Sequence, residues 1–149
     1  ETALAELVGC VLRQDAKRLI ARKISVQTED LTHTVRTDAK WLRFILRQMI
    51  DNSIKYGATR LEFVSRESAG GIVLLLRDNG VGIPTQELAR VFEKGFTGEN
   101  GRRFGRSTGL GLYLCRLLCQ KMGLELAASS VPGEGATMEI RFPLNDFYV

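Results

Sequence analysis

The segment Asp38–Tyr56 constrains the fold of this chain most, because its apolar side chains repeat with the period of an α-helix. One face of that helix must pack against another element, and the opposite face is left polar. Thr37 or Asp38 can cap its start, and Gly57 can end it. The apolar stripe consists of Leu42, Ile45, Leu46, Met49 and Ile50.

The order of the other segments predicts an α+β two-layer sandwich. We expect an amphipathic helix over Ala3–Arg22 and a short helix over Thr85–Phe92. A long polar loop is expected over Lys94–Thr108, followed by a helix over Gly109–Met122 that Gly123 ends. The expected strands are Ile24–Gln27, Arg60–Ser65, Gly71–Leu76, Leu124–Ser129 and Ala136–Phe142.

Length and composition predict one globular domain over residues 1–149, since 44% of the residues are hydrophobic. The sequence contains no run of about 18 apolar residues, the length that a membrane-spanning helix needs. The net charge of +4 suits an anionic ligand and does not require nucleic acid. Because the chain starts at Glu1 and not at Met, we expect it to be a piece of a longer protein.

The three cysteines predict neither a disulfide framework nor a zinc site, because their number is odd and no Cys-x-x-Cys occurs. Cys115 and Cys119 are four residues apart and share a face of the last helix. We expect all three thiols, including Cys10, to be reduced and buried in a cytosolic setting.

The polar edge of the Asp38–Tyr56 helix groups four functional side chains within about one quadrant. The carbonyl oxygen of the Asn52 amide suits Mg²⁺, which keeps most of its waters and also holds phosphates. Lys55 can meet phosphate charge, and Tyr56 can lie against a planar base. Gln48 completes the group. On spacing alone, a solvated helix edge explains the same residues.

A glycine-rich turn, Asp78–Pro84, follows a very apolar strand. The Asp78 carboxylate at the strand end is placed to accept hydrogen bonds in a pocket. Gly80 and Gly82 allow the backbone to approach a flat ligand closely. An ordinary turn is the alternative, because Asp-Asn-Gly is turn chemistry in any case.

A second glycine-rich region lies where the long loop enters the last helix. Backbone N–H groups at a helix start bind phosphate well, and three arginines nearby (Arg102, Arg103 and Arg106) strengthen that expectation. The region is neither a P-loop nor a dinucleotide fingerprint, since no Gly-Lys-Ser/Thr and no third glycine follows. A flexible basic loop remains the alternative.

Taken together, the motifs resemble those of the GHKL (Bergerat-fold) ATP-binding family, and within it the catalytic domain of bacterial sensor histidine kinases. The resemblance runs from about Thr37 to Pro143. The residues of Val91–Thr97 and of the following loop are most similar to those of kinases partnered with antimicrobial-peptide ABC transporters. The segments that resemble the family's N, G1, F and G2 boxes are Arg47–Tyr56, Asp78–Pro84, Val91–Thr97 and Ser107–Leu112.

The resemblance implies a Bergerat-type sandwich, with a mixed sheet, helices on one face and a long ATP lid. It implies that Asn52 binds Mg²⁺, that Asp78 accepts from the adenine amino group, and that Thr137 supports Asp78 or a water beside the base. Lys55 would contact phosphate and Tyr56 would pack on adenine. The other implied ATP-binding residues are Gly80, Gly82, Ile83, Phe92, Lys94, Arg102, Arg103, Arg106, Ser107, Thr108, Gly109, Leu110, Gly111 and Leu112.

Two positions depart from the family pattern. Ser107 stands where the family usually has a glycine. Gln48 occupies the position of the water-activating Glu of the gyrase, MutL and Hsp90 branch, and a neutral amide cannot act as a general base. Gln48 therefore favours transfer of the γ-phosphoryl group to a protein acceptor over ATP hydrolysis.

The expected activity is that of a histidine autokinase using Mg-ATP. His33, the one histidine in the chain, lacks the acidic residue and Thr-Pro that usually follow the acceptor, so we expect it to be structural or exposed. The acceptor would lie on a separate dimerisation domain absent from this fragment.

Its expected partners are that domain, a response regulator and an ABC transporter. The parent would be a homodimer anchored at the cytoplasmic side of the cell membrane, and this fragment a soluble monomer. The alternatives are a GHKL ATPase, an anti-sigma-type serine kinase, or a nucleotide-binding module without catalysis.

Overall fold

A computed structural model describes residues 1–96 and 110–143. Its helices are α1 (Leu4–Gln14), α2 (Ala16–Ala21), α3 (Ala39–Lys55), a 3-10 helix (Thr85–Arg90) and α4 (Gly111–Met122). Its strands are β1 (Thr2–Ala3), β2 (Ser25–Glu29), β3 (Thr34–Val35), β4 (Arg60–Ser68), β5 (Gly71–Asp78), β6 (Glu125–Val131) and β7 (Gly135–Pro143).

The main sheet has five strands in the order β2–β4–β5–β7–β6. Only the β2–β4 pair in it is parallel, so the sheet is mixed. Alternate residues of β4, β5 and β7 form one apolar face, which packs with α1, α3 and α4 in a single core. This arrangement confirms the predicted α+β two-layer sandwich with helices on one face. Fully buried members of the core include Leu42, Ile45, Phe63, Leu74 and Ile140.

Helix α3 begins as predicted, because the Asp38 carboxylate accepts a hydrogen bond from the Trp41 N–H at 3.1 Å. After it, Gly57 turns the chain away with a φ of +84°, a conformation that glycine adopts without strain. Gly123 ends α4 in the same left-handed region. The glycine and capping signals thus place both helices correctly along the chain.

The expected single helix over Ala3–Arg22 is wrong: Asp15 separates α1 from α2. The Asp15 side chain is only 4% exposed and pairs with Arg18 and, across the helix interface, with Arg47 of α3. This contact is tertiary, so helical periodicity does not report it. Likewise, the segment expected to be helical over Thr85–Phe92 is a 3-10 helix that ends at Arg90.

His33, directly before β3, contacts Ser65 of β4. Its Nδ1 lies 2.8 Å from the Ser65 Oγ, and that hydroxyl donates to the Asp30 carbonyl at 2.9 Å. Because the single hydroxyl hydrogen is used there, Nδ1–H is the donor to Ser65. The His33 carbonyl also accepts from the Leu4 N–H at the start of α1.

Cys115 and Cys119 are buried free thiols, as expected, whereas Cys10 is half-buried. Within residues 1–96 and 110–143, none of the helices has both the length and the apolar character needed to cross a membrane.

Candidate functional site

The Asp78 carboxylate at the end of β5 is held by three hydrogen-bond donors. Its Oδ2 accepts from the Ser53 hydroxyl of α3 at 2.7 Å. Its Oδ1 accepts from the backbone N–H groups of Gly80 at 2.9 Å and Ala136 at 3.2 Å. Helix, turn and strand β7 therefore fix the carboxylate, and one acceptor position on Oδ2 is left over.

The turn after Asp78 passes very close to the end of α3. The Val81 N–H donates to the Tyr56 carbonyl at 3.1 Å. A Cβ on Gly80 would lie 2.7 Å from that carbonyl oxygen, so a larger residue cannot fit without backbone movement. Gly82 has a φ of +79° and packs against Ser130, so it needs both the small size and the left-handed conformation of glycine.

Side chains on both sides of the turn anchor it. The Ser130 hydroxyl accepts from the Ile83 N–H at 2.7 Å and donates to the Gly135 carbonyl at 2.9 Å. The Asn79 carbonyl oxygen accepts from the N–H groups of Thr59 and Arg60, at 2.9 and 2.8 Å. These contacts position the turn independently of any ligand.

A second apolar cluster lies beside this turn, with Ile83, Val91 and Ala136 buried at its centre. The Ala136 N–H that holds Asp78 thus belongs to a residue of the cluster. Burial raises the pKa of the Tyr56 phenol, and the nearby Glu87 raises it further. Half-buried side chains that pack on the cluster are Tyr56, Leu88, Phe92, Phe96, Leu112 and Ala128.

The polar groups predicted on α3 lie next to this cluster. Asn52 is 9% exposed, and its side-chain amide is not among the fully buried polar atoms that lack a hydrogen-bond partner in the described residues. Burial lowers the pKa of Lys55, an effect partly offset by the negative charge of Asp51. An amide and a partly desolvated ammonium thus lie about one helical turn apart on α3.

Gln48 meets the start of α4. Its side-chain oxygen occupies the space that a Cβ on Gly111 would fill, so the glycine allows α3 and α4 to approach. The first turn of α4, which carries unpaired N–H groups and the positive end of the helix dipole, is therefore held beside the polar edge of α3.

Thr137 is not brought to Asp78. Its neighbours in β7, Ala136 and Met138, pack in the two apolar clusters, and because strand side chains alternate, Thr137 lies on the other face of the sheet. The hydroxyl at Asp78 is that of Ser53, which sequence reasoning missed. The sequence signal for Ser53 was its position in line with the apolar stripe of α3. A hydroxyl on that face is buried and needs a hydrogen-bond partner.

The structure thus gathers Gln48, Asn52, Lys55, Tyr56, Asp78, Gly80, Gly82, Ile83, Phe92, Gly111 and Leu112 around one end of the sheet. Lys94 is exposed after the 3-10 helix, and Leu110 is 38% exposed at the start of α4. The other predicted residues lie outside the described part of the chain: Arg102, Arg103, Arg106, Ser107, Thr108 and Gly109.

The fold and this site define a class of protein, an α+β domain in which a fixed carboxylate and a second apolar cluster lie at one end of a mixed sheet. Residues 37–146 match the family described as histidine kinase-, DNA gyrase B- and HSP90-like ATPases. The chain belongs to this family.

Named relatives are sensor kinases. The sensor histidine kinase YxdK of Bacillus subtilis (strain 168) is 44% identical over 144 residues, which cover 94% of this chain and 44% of that protein. The sensor protein BceS of Halalkalibacterium halodurans is 38% identical over 93% of this chain and 43% of its own length. The chain therefore spans less than half the length of these relatives.

Solved structures agree on the fold. The catalytic domain of the histidine kinase ThkA superimposes with a TM-score of 0.78 at 20% identity, over 95% of both chains. Full-length ShkA in complex with AMPPNP gives a TM-score of 0.77 at 22% identity, over 93% of this chain and 29% of that one.

Proposed function

We propose that this domain binds Mg-ATP and donates the γ-phosphoryl group to a histidine on the dimerisation domain of a parent two-component sensor kinase. The observation that carries the proposal is the Asp78 carboxylate, held by three donors beside the second apolar cluster and facing the polar end of α3. Family membership and the sensor-kinase relatives support the same conclusion.

Recognition of adenine follows from the chemistry of Asp78. An ionised carboxylate only accepts hydrogen bonds, and Gly80, Ala136 and Ser53 already use three of its acceptor positions. The remaining position on Oδ2 suits the amino group of adenine, whereas guanine carries an oxygen acceptor at the equivalent place. Tyr56, Ile83 and Phe92 supply apolar surface for the base. We therefore propose ATP, and not GTP, as the substrate.

The phosphates would lie towards α3 and the start of α4. The side-chain carbonyl oxygen of Asn52 fits Mg²⁺, which commonly takes one or two protein oxygens and completes its shell with phosphates and waters. No cluster of three or more His, Cys, Asp or Glu side chains within residues 1–96 and 110–143 offers another metal site. When bound, Mg²⁺ would neutralise part of the phosphate charge. The Lys55 ammonium would neutralise more of it.

The proposed reaction is an in-line transfer. The acceptor imidazole nitrogen forms a bond to the γ-phosphorus, the bond to the β,γ-bridging oxygen breaks, and ADP leaves with that electron pair. Such transfer depends on positioning and electrostatics more than on a base. Gln48, a neutral amide beside Gly111, cannot take a proton from water, which counts against a hydrolase of the gyrase or MutL type.

The acceptor would come from outside this chain, because His33 already bonds Ser65 and holds the start of α1. An exposed apolar stripe on α4 is a candidate contact for the acceptor domain, since Leu110, Leu114 and Leu117 are 38%, 42% and 37% exposed on one helix face. We propose that the parent is a membrane-anchored homodimer with this domain on the cytoplasmic side, acting with a response regulator and an ABC transporter.

The test is transfer between separate chains. This domain is mixed with the dimerisation segment of its parent and γ-labelled Mg-ATP, and label on the acceptor is followed. Acid-labile, base-stable phosphate on that segment is expected, and Asp78→Asn should abolish it. Tight ATP binding without any transfer would instead identify a binding module. Release of inorganic phosphate at the same rate without acceptor would identify an ATPase.

A further inference from the structure

A buried carboxylate outside the nucleotide site joins the first helices to α3. Asp15, at the break between α1 and α2, is 4% exposed. Its Oδ1 accepts from Arg47 of α3 at 3.2 Å, and its Oδ2 lies 3.3 Å from an Arg18 guanidinium nitrogen. A carboxylate buried to this extent is stable only when paired, so the two arginines are tied to it.

Arg18 also reaches α3 directly. Its second terminal nitrogen pairs with the Asp51 carboxylate at 2.5 Å, so one guanidinium bridges Asp15 and Asp51. The planar fork of arginine suits such a bridge, because its nitrogens have fixed relative positions. The Asp15 Oδ2 pairs with Arg18 by charge without a hydrogen bond, and Arg18 pairs with Asp51.

Asp51 precedes Lys55 by four residues on the same face of α3, the spacing at which an acidic and a basic side chain normally pair. In the described part of the chain, however, the carboxylate pairs with Arg18, and no ion pair engages Lys55. Asp51 is nevertheless close enough for its charge to raise the pKa of Lys55. Lys55 therefore has a competing carboxylate within reach that is held elsewhere.

We propose that Arg18 is a positioning residue for nucleotide binding: by holding Asp51, it keeps the Lys55 ammonium free for the phosphates. This inference rests on the proposed function, since it assigns Lys55 to phosphate. Without Arg18, Asp51 would turn to Lys55, and ATP would have to displace it. The Asp51 carboxylate is 44% exposed and the Arg18 guanidinium 37%, and ion pairs this exposed contribute little energy. The expected loss is therefore about two- to fivefold in ATP affinity.

The experiment measures Kd for Mg-ATP and for adenosine, which lacks phosphates, by calorimetry on three variants. Arg18→Leu is expected to raise the Kd for Mg-ATP two- to fivefold and to leave the Kd for adenosine unchanged. Adding Asp51→Asn to it should restore ATP affinity, because the competing charge is gone. Arg22→Leu, which removes an exposed arginine at the end of α2, is the matched control and should change neither Kd.

A merely structural role for Arg18 predicts a different pattern. Loss of packing would weaken the binding of ATP and of adenosine together, and adding Asp51→Asn would not restore ATP affinity. Either result overturns the inference. Unchanged ATP affinity in Arg18→Leu also overturns it. Lys55→Met separates this inference from the proposed function. If Lys55→Met binds ATP as tightly as the unaltered domain, Lys55 is not a phosphate contact and this inference fails, whereas the proposed function fails only if the unaltered domain binds no ATP.

Discussion

Replacing Asp78 by asparagine tests the base-recognition chemistry while changing the shape of the site little. The Oδ1 atom of asparagine can still accept from Gly80 and Ala136, but without a formal charge. The Nδ2 group takes the place of Oδ2 at Ser53, whose hydroxyl can rotate from donor to acceptor. The folded domain should therefore lose only about 1–2 kcal/mol of stability.

The effect on ATP is larger, because a donor would then face the adenine amino group. A hydrogen bond to a charged acceptor is lost, worth about 1.5–3 kcal/mol, and two donors are left unpaired at additional cost. A total of about 3–4 kcal/mol corresponds to about a 100- to 1,000-fold rise in Kd. Asp78→Ala should also abolish ATP binding, with a greater stability loss because it orphans the Ser53, Gly80 and Ala136 donors.

The assay compares ATP with ITP, which carries an oxygen acceptor in place of the amino group. Asp78→Asn should lower the preference for ATP over ITP by at least tenfold, since the new amide can donate to that oxygen. Glu62→Gln is the control, because it neutralises a carboxylate on the opposite sheet face, paired with Arg77. An unchanged ATP-to-ITP ratio in a folded Asp78→Asn domain would refute the assignment of Asp78 to the base.

Three further predictions concern other residues. Asn52→Ala should abolish Mg-ATP binding while thermal unfolding stays cooperative; unchanged calorimetric affinity would remove Asn52 from the site. Gly80→Ala should lower the unfolding free energy by about 1–3 kcal/mol through the Tyr56 carbonyl clash, measured by urea unfolding, whereas Gly9→Ala within α1 should be neutral or stabilising. Burial raises the pKa of Cys115 to about 12 and that of Cys119 to about 11, so both thiols should resist alkylation until the domain unfolds. Because these folded-state values lie above the unfolded value of 9.0, stability should decline as the pH rises from about 9 towards 11.

Local signals predicted the parts of the fold that local chemistry determines. The apolar stripe and the Asp38 cap located α3, and the alternation and glycines of residues 60–78 located the β4–β5 hairpin. The same signals missed the break at Asp15, whose buried carboxylate pairs with a guanidinium from α3, 32 positions further along the chain. The two-residue β1–β3 pairing was also missed, because neither partner carries enough residues to show a strand pattern.

The site was predicted where motifs carry the chemistry and missed where packing decides it. Asn52 and Lys55 lie on α3 and Asp78 ends β5, and the Ser53 hydroxyl of α3 bonds Asp78, so the two motifs meet in the structure. Thr137 was expected at Asp78, and Ser53 occupies that place, because the β7 register turns Thr137 to the other sheet face. A strand register is set by its partners, so a motif alone cannot tell which of two adjacent residues faces a pocket.

The glycine turn after β5 has the composition of an anion-binding loop, yet three of its main-chain donors are already occupied. Gly80 N–H is used by Asp78, Val81 N–H by the Tyr56 carbonyl, and Ile83 N–H by Ser130. None of these three amides can therefore cradle a negative charge. The glycines serve close packing. Under the proposed function, the turn would therefore discriminate by shape and polarity, and neutralising the phosphate charge would fall to the α3 side.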